Sequence, residues 1–246
     1  MPITDGMPPR RFPIVNVLLI AANFAVWILY QLPNFESSVM DSSFYVCSVD
    51  GSCQPELPGY VSWFTAMFMH GSWSHILGNM WFLAVFGKSV EDAFGRLRYL
   101  AMYVAGGFAA TGLQTIMTLT AGSAADAQVP MLGASGAIAA VLGAYWVLYP
   151  DAKILTLVFV FFVKVRAWVF LGLWFLYQFV AANMGLFAAG SEDGGTAFFA
   201  HVGGFVFGVI AATILARSGQ RQDRRTVDAV SAGGARMPRA RFAGRA

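Results

Sequence analysis

Six apolar segments, most of them long enough to cross a lipid bilayer, dominate this chain. A helix needs about 20 apolar residues to span the hydrocarbon core, because it rises only about 1.5 Å per residue. Only 12% of the residues are charged, about half the share typical of a soluble domain. The sequence therefore predicts an all-α, polytopic membrane protein with six spans. We place them at residues 14–32, 74–94, 97–120, 134–150, 167–189 and 197–216.

Two shorter features refine this count. The first span lacks a small-residue cleavage site and is too long for the core of a signal peptide, so we expect it to stay in the protein. The apolar run "ILTLVFVFFV" at 154–163 has too few residues to cross the membrane. We expect this run to form an interfacial or buried connector.

The placement of charge supports six spans. With that number, every one of the 16 Lys and Arg residues falls on the same side as the two termini. Basic residues concentrate on the cytoplasmic side of membrane proteins, so both termini are predicted to be cytoplasmic. The loops on the opposite side carry only acidic charge, from Glu36, Asp41, Asp50, Glu56, Asp126, Glu192 and Asp193.

These observations divide the chain into three parts. Residues 1–13 form a cytoplasmic N-terminus and residues 14–216 form the membrane domain. Residues 217–246 are rich in Arg, Ala and Gly, and we expect a disordered cytoplasmic tail there. An electrostatic contact of this tail with anionic lipid is the alternative.

Five polar side chains lie in or beside the apolar segments and include all three histidines. Polar groups in a membrane helix cost free energy and usually face the protein interior. Four of the five fall within roughly 10 Å of the outer boundary, although they belong to three different spans. The five are His70, His75, Asn79, Ser135 and His201, and His70 is the one that precedes a span.

Small residues on the fourth and sixth spans predict which of these side chains meet. Small residues at every fourth position allow two membrane helices to approach closely. If the two small faces pack together, Ser135 and His201 lie at the same depth, and the hydroxyl gains a base within hydrogen-bond reach. The small faces consist of Ser135, Ala139 and Gly143 on the fourth span, and of Ala200, Gly204, Gly208 and Ala212 on the sixth.

The start of the fourth span also offers donors for an oxyanion. First-turn N–H groups beginning at Ser135 have no intrahelical acceptor and carry the positive end of the helix dipole. Gly133 and Gly136 permit a tight entry and a close approach of a substrate backbone. His75 and Asn79 share a helix face and can donate further hydrogen bonds. No acidic residue is placed to orient the histidine of the sixth span, so we expect a serine–histidine pair.

Each residue alone also has a simpler interpretation. Ser135 can be a packing serine, and His201 can be a hydrogen-bonding residue of a helix bundle. His70 and His75 are five residues apart and do not align on one helix face, so we expect no metal and no other cofactor. A transporter or channel is another class, but it predicts polar residues across the whole bilayer, and these stop in the outer third.

The motifs "HGSWSHILGNMWFL", "GASG" and "AHVGGFVFG" together resemble those of the rhomboid intramembrane serine proteases. That family carries a histidine–three residues–asparagine motif on its second helix, Gly–x–Ser–Gly at the start of the fourth and Ala–His–x–x–Gly on the sixth. "GKSVEDAFGRLRYL" resembles the family's cytoplasmic turn between helices two and three. The resemblance covers roughly residues 14–216 and implies a six-helix rhomboid-like bundle.

The resemblance implies a role for each motif residue. Ser135 is the implied nucleophile and His201 the implied general base and acid. The implied oxyanion hole consists of His75, Asn79 and the backbone N–H groups of Ser135 and Ala134. The implied structural positions are His70, Gly133, Gly136, Gly204 and Gly208.

Two positions depart from the pattern of some family members. Val61 and Ser62 stand where those members have a Trp–Arg pair, and Ala139 stands where they have a Tyr stacked on the catalytic histidine. Phe198 or Phe205 is the expected replacement for that Tyr.

Cys47 and Cys53 lie in the first outer loop, where oxidising conditions permit a disulfide. Free thiols are the alternative for this pair. Neither cysteine is expected to act in catalysis, because neither lies near the histidines carried by the helices.

The implied activity is hydrolysis of peptide bonds near the outer end of transmembrane segments in other membrane proteins. The alternative is an inactive rhomboid-like factor that binds membrane proteins, although such relatives typically lack the serine or the histidine. The expected partners are transmembrane substrates and membrane lipids, with no nucleic acid, and the oligomeric state stays open. The expected location is a bacterial plasma membrane.

Overall fold

A computed structural model of the chain describes residues 1–187 and 197–232. Within these residues, helices cover all six predicted spans, and their ends lie close to the predicted ones except at the last helix. The acidic residues Glu192 and Asp193 of the last outer loop, and the tail from residue 233 onward, fall outside the described residues. In chain order the helices are α1 (Ile14–Val26), α2 (Phe35–Ser42), α3 (Cys47–Asp50), α4 (Gly59–Thr65), α5 (Trp73–Phe82), α6 (Lys88–Phe94), α7 (Arg96–Ala121), α8 (Ala124–Ala127), α9 (Ser135–Leu148), α10 (Ala167–Phe187) and α11 (Phe198–Ala232).

Short irregular turns join several of these helices without a break. A π-helical turn at Trp27–Gln31 and a 3₁₀ turn at Leu32–Asn34 connect α1 to α2, and a π-helical turn at Leu83–Gly87 connects α5 to α6. By length and composition, three helical runs are able to cross a membrane, namely Ile14–Ser42, Arg96–Ala121 and Phe198–Ala216. The apolar helices Ser135–Leu148 and Ala167–Val180 are shorter.

Three helices, α7, α9 and α11, form the tightly packed centre of the bundle. Their contacts depend on glycine, because a methyl group at Gly208 would overlap the backbone of Ala140, and one at Gly204 would overlap the carbonyl oxygen of Gly136. The predicted small faces therefore do pack on each other. Helix α9 is buried from Gly136 to Tyr145, so the core of the protein fixes the position of the partly exposed Ser135 at its start.

The run 154–163 forms a β-hairpin, which the prediction of a connector did not foresee. Strands β2 (Lys153–Val158) and β3 (Phe161–Arg166) pair in antiparallel fashion, and β1 (Pro2–Thr4) adds to the other edge of β2. The run is rich in β-branched and aromatic residues, which favour strands. Its tip is strongly exposed, with Phe159 92% accessible, as expected for an apolar element that faces lipid.

The N-terminal segment is anchored in the bundle by a buried carboxylate. Asp5 is 2% exposed and lies 3.0 Å from the ammonium group of Lys88. Ser89 and Tyr145 also donate hydrogen bonds from their hydroxyls to this carboxylate. The segment 1–13 is thus partly integrated into the membrane domain.

The last helix extends further than predicted. Disorder was expected from residue 217, but α11 continues to Ala232. A helix that is already nucleated extends at low cost through residues such as Ala, Arg and Gln, which favour helical structure.

Candidate active site

The segment that leads into α9 is held by backbone hydrogen bonds. Phe44 and Met131 form an isolated antiparallel bridge, and the N–H of Gly133 donates to the carbonyl oxygen of Ala66 over 2.8 Å. Gly133 has a φ of +127°, a conformation that side chains with a Cβ rarely adopt. Ser135 then begins the helix, and the N–H groups of its first turn have no intrahelical acceptor.

The hydroxyl of Ser135 meets the imidazole of His201. The distance between Ser135 Oγ and His201 Nε2 is 2.8 Å, a normal hydrogen bond. The two residues are 66 positions apart in the chain and come together because α9 and α11 pack through their small faces. Both residues keep partial exposure, so the pair is not enclosed within the core.

The other face of His201 contacts α10. The ring atom Nδ1 lies 2.8 Å from Oε1 of Gln178, and the ring of Trp174 packs against the imidazole with centroids 6.0 Å apart. The aromatic neighbour expected here was Phe198 or Phe205. Instead, Phe205 packs on Trp174, and Phe198 packs on Tyr177.

His75 approaches the serine from α5. Ser72 caps that helix by accepting a hydrogen bond from the N–H of His75 over 3.1 Å, which fixes His75 in the first turn. The N–H of Gly71 donates to Nδ1 of His75, so a neutral ring carries its hydrogen on Nε2. A methyl group at Gly133 would lie 2.9 Å from this Nε2 atom, so the hydrogen-bearing nitrogen borders the serine.

Asn79 supplies another donor one turn further along α5. Its side chain is 9% exposed, and its Nδ2 atom has no hydrogen-bond partner. Buried polar groups are normally paired, and an unpaired donor calls for an explanation. Asn79 therefore has a free hydrogen-bond donor in the described part of the chain.

His70 supports the site and does not touch the serine. Its ring lies 5.0 Å from the ring of His75 at a steep angle, and its backbone exchanges two hydrogen bonds with the side chain of Gln31. Burial, and secondarily the proximity of His75, lowers the pKa of His70 to about 3. The ring is therefore neutral at physiological pH and packs against His75 as an uncharged side chain.

A small cavity opens beside the Ser135 hydroxyl. Its volume of about 40 Å³ is sufficient for a water molecule or a small side chain. The residues that line it next to the serine are small or flexible, including Met67, Gly107, Gly136 and Ala200.

The structure thus brings Ser135 and His201 into contact and places His75 beside Gly133. Asn79 lies one turn beyond His75 on α5, and Ala134 is the cap residue that precedes the serine. Gly136, Gly204 and Gly208 lie in the helix contacts that bring the pair together. Cys47 and Cys53 are joined by a disulfide in the outer loop, where Cys47 packs with Phe44 and Ala66.

Sequence reasoning missed Gln178 and Trp174. Gln178 is the carboxamide in an otherwise apolar helix stretch, and such a residue usually faces the protein interior. This signal was present in the sequence and was not used. Trp174 gave no comparable signal, because tryptophan is common in membrane helices.

Comparison with known proteins agrees with the family resemblance. Residues 58–218 match the family model described as the Rhomboid domain. Over 219 residues the chain is 31% identical to "Rhomboid protein 1, mitochondrial" of Saccharomyces cerevisiae, which covers 86% of this chain and 56% of that protein. It is also 28% identical over 201 residues to the bovine "Presenilin-associated rhomboid-like protein, mitochondrial", covering 78% of this chain and 46% of that protein.

A plant relative extends the range of similarity. "RHOMBOID-like protein 1" of Arabidopsis thaliana is 28% identical over 149 residues, 60% of this chain and 32% of the relative. The chain spans about half the length, or less, of the curated relatives that it matches.

Proposed function

We propose that this chain, which belongs to the rhomboid family of membrane proteins, is a serine endopeptidase that acts within the membrane. The observation that carries the proposal is the 2.8 Å contact between Ser135 Oγ and His201 Nε2. A hydroxyl is a weak nucleophile unless an adjacent base takes its proton, and this contact provides such a base.

The chemistry follows the logic of a nucleophile and a general base. Ser135 Oγ attacks the carbonyl carbon of the scissile peptide bond while its proton passes to Nε2 of His201. The same proton then moves to the leaving amine, which leaves an ester of the acyl group on Ser135. Water deprotonated by His201 attacks the ester, the carboxylic product departs, and the proton returns to the serine.

The negative charge on the former carbonyl oxygen needs preorganised donors. The arrangement supports three kinds of donor, namely the first-turn N–H of Ser135, Nε2–H of His75 and the unpaired Nδ2 of Asn79. Donors of this type often contribute the largest single share of the rate enhancement, with each one contributing a factor of about 10²–10³.

The substrates that fit this site are transmembrane segments of other proteins. Ser135 stands at the start of an apolar helix, so the cut is expected near the outer end of a substrate's span. A regular helix satisfies its own carbonyls and hides them, so the substrate must unwind locally. The cavity of about 40 Å³ beside the serine favours a small side chain next to the cut.

We place the basic side of the protein, with both termini, in the cytoplasm of a bacterium, following the distribution of Lys and Arg. The mitochondrial names of two relatives make a mitochondrial membrane the alternative. Reporter fusions after residue 246, combined with cell fractionation, distinguish these locations and test the orientation.

The decisive experiment is cleavage of a model transmembrane substrate in liposomes, with the cut located by mass spectrometry. Ser135→Ala and His201→Ala are each expected to lower kcat by at least a factor of about 10³. Ser62→Ala is the matched control, because Ser62 is a buried serine bonded only within its own helix, and it is expected to cut like the wild type.

Cleavage at the wild-type rate by Ser135→Ala would refute the assignment. If the intact protein binds the transmembrane segment but never cuts it, and does not react with a mechanism-based serine reagent, the alternative of an inactive binding factor is correct.

A further inference from the structure

His201 is held at both ring nitrogens in the resting protein. Nε2 faces the serine hydroxyl and Nδ1 faces Oε1 of Gln178, each at 2.8 Å. An amide oxygen only accepts hydrogen bonds, so the nitrogen facing it must carry the hydrogen. A neutral imidazole has a single N–H, and Nε2 is then free to accept the proton of Ser135.

The same helix also fixes the plane of the ring. Trp174 lies one turn before Gln178 on α10, and its indole packs against the imidazole at an interplanar angle of 40°. Phe205 supports the indole from α11, with ring centroids 6.1 Å apart. Gln178 and Trp174 lie on one face of α10 and therefore restrain the imidazole of His201 at its edge and at its flat side.

Gln178 has no evident packing reason to be polar. It is 7% exposed and lies among apolar residues of α10, where an unpaired amide would cost free energy. Its contact with Nδ1 gives the amide oxygen a partner and explains its position. Ala139 stands where some family members have a Tyr stacked on the histidine, and in this chain Trp174 of α10 packs on that ring.

We propose that Gln178 is a positioning residue that holds His201 in the tautomer able to deprotonate Ser135. The inference rests on the proposed function for its kinetic consequence. No proton passes to Gln178, since an amide oxygen is not a base at neutral pH. When His201 accepts the serine proton, Nδ1–H keeps donating to Oε1, and the amide dipole stabilises the positive ring.

The kinetic test uses two replacements of Gln178. Gln178→Leu removes the acceptor and is expected to lower kcat about 10- to 100-fold, the range seen when a hydrogen-bond partner of a functional histidine is removed. KM is expected to stay unchanged, because Gln178 lies behind the histidine and does not face the serine. Gln178→Glu keeps an acceptor oxygen at the same reach and is expected to restore most of kcat.

Asn183→Leu is the matched control. Asn183 is a second carboxamide on α10, and its Nδ2 atom donates to the carbonyl oxygen of Phe179 within the same helix. Its replacement removes a polar group of the same kind without touching His201, and the variant is expected to retain the wild-type kcat.

A spectroscopic measurement tests the tautomer without any substrate. The chain has only three histidines, so ¹⁵N-histidine labelling gives few signals, and His201→Ala identifies those of His201. The expected spectrum of the wild type shows a protonated Nδ1 and an unprotonated Nε2. In Gln178→Leu the proton is expected to redistribute towards Nε2.

Two results would overturn the inference: a wild-type spectrum with the proton on Nε2 of His201, or a folded Gln178→Leu protein with the wild-type kcat. If Gln178→Leu does not fold, the wild-type spectrum and the kcat of Gln178→Glu decide whether the inference holds. The spectrum is recorded on the resting protein, so a chain that cleaves nothing would refute the proposed function and leave the role of Gln178 testable.

Discussion

The geometry of the site depends on the absence of a Cβ atom at Gly133. Its φ of +127° is strained for any residue with a Cβ, and a methyl group there would come within 2.9 Å of both Nε2 and Cε1 of His75. We expect Gly133→Ala to displace His75. On the proposed function this removes one donor to the oxyanion and lowers kcat at least tenfold.

Proteolysis in liposomes measures that effect, and thermal unfolding shows whether the fold survives. Gly59→Ala is the control, since a methyl group at Gly59 meets nothing within 4 Å. Equal activity of Gly133→Ala and Gly59→Ala would contradict the prediction.

At this scale the sequence revealed the residues that carry obvious chemistry. The contact of Ser135 with His201 could be predicted, because polar groups at one depth in three apolar helices are improbable without a common site. The oxyanion roles of His75 and Asn79 stay predictions. Trp174 escaped prediction, since its role depends on how α10 is rotated, and a nearly uniform apolar helix has little periodicity from which to read that rotation. Gln178 was a usable signal for the inward face of α10 that the sequence reasoning overlooked.

At the scale of elements, the contact of α9 with α11 places the serine next to its base. A methyl group at Gly208 would overlap the backbone of Ala140, which cannot move aside as a flexible side chain does. We expect Gly208→Ala to destabilise the protein by about 1–3 kcal/mol or more, the usual cost of overpacking. Thermal unfolding in detergent measures this loss.

Gly172→Ala on α10 is the matched control for that substitution. A methyl group at Gly172 meets nothing within 4 Å, and alanine is about 1 kcal/mol better than glycine in a helix. We therefore expect this variant to be neutral or slightly more stable. Equal loss of stability in the two variants would mean that helix approach is not the cause.

The hairpin shows why one element was predicted incompletely. An uninterrupted apolar run has neither the alternation of a half-buried strand nor the period of an amphipathic helix, so pattern alone does not assign it. Strand β1 was equally hidden, because Pro2–Thr4 is ordered by contacts with distant parts of the chain, namely its pairing with β2 and a hydrogen bond from Trp81. The helical extension after residue 217 was missed because composition alone favoured disorder there.

At the scale of the whole molecule, the N-terminal segment and the helix bundle are joined by a buried ion pair. Removing one partner of such a pair leaves an uncompensated charge and typically costs 3–5 kcal/mol. We expect Asp5→Asn to destabilise the protein by about that amount, because Lys88 then keeps its charge beside a neutral amide.

Asp151→Asn provides the comparison for the same measurement of unfolding. Asp151 lies 3.9 Å from Arg166, and both side chains are largely exposed. Exposed pairs contribute about 0–1 kcal/mol, so this variant is expected to unfold like the wild type. An equal loss of stability in Asp5→Asn and Asp151→Asn would show that burial of the Asp5–Lys88 pair does not matter.

The disulfide between Cys47 and Cys53 lies next to the residues that hold the segment before Ser135. Cys47 packs in a small cluster with Phe44 and Ala66, and these two hold the strand that leads to Ser135 through Met131 and Gly133. Cleavage of the disulfide by a thiol reductant is thus expected to loosen the segment before Ser135 and to slow turnover in the liposome assay. The Cys47→Ser, Cys53→Ser double variant is the control, because its turnover is expected not to respond to the reductant. On the proposed function, peptide-bond hydrolysis would then be fastest in membranes whose environment keeps this cysteine pair oxidised.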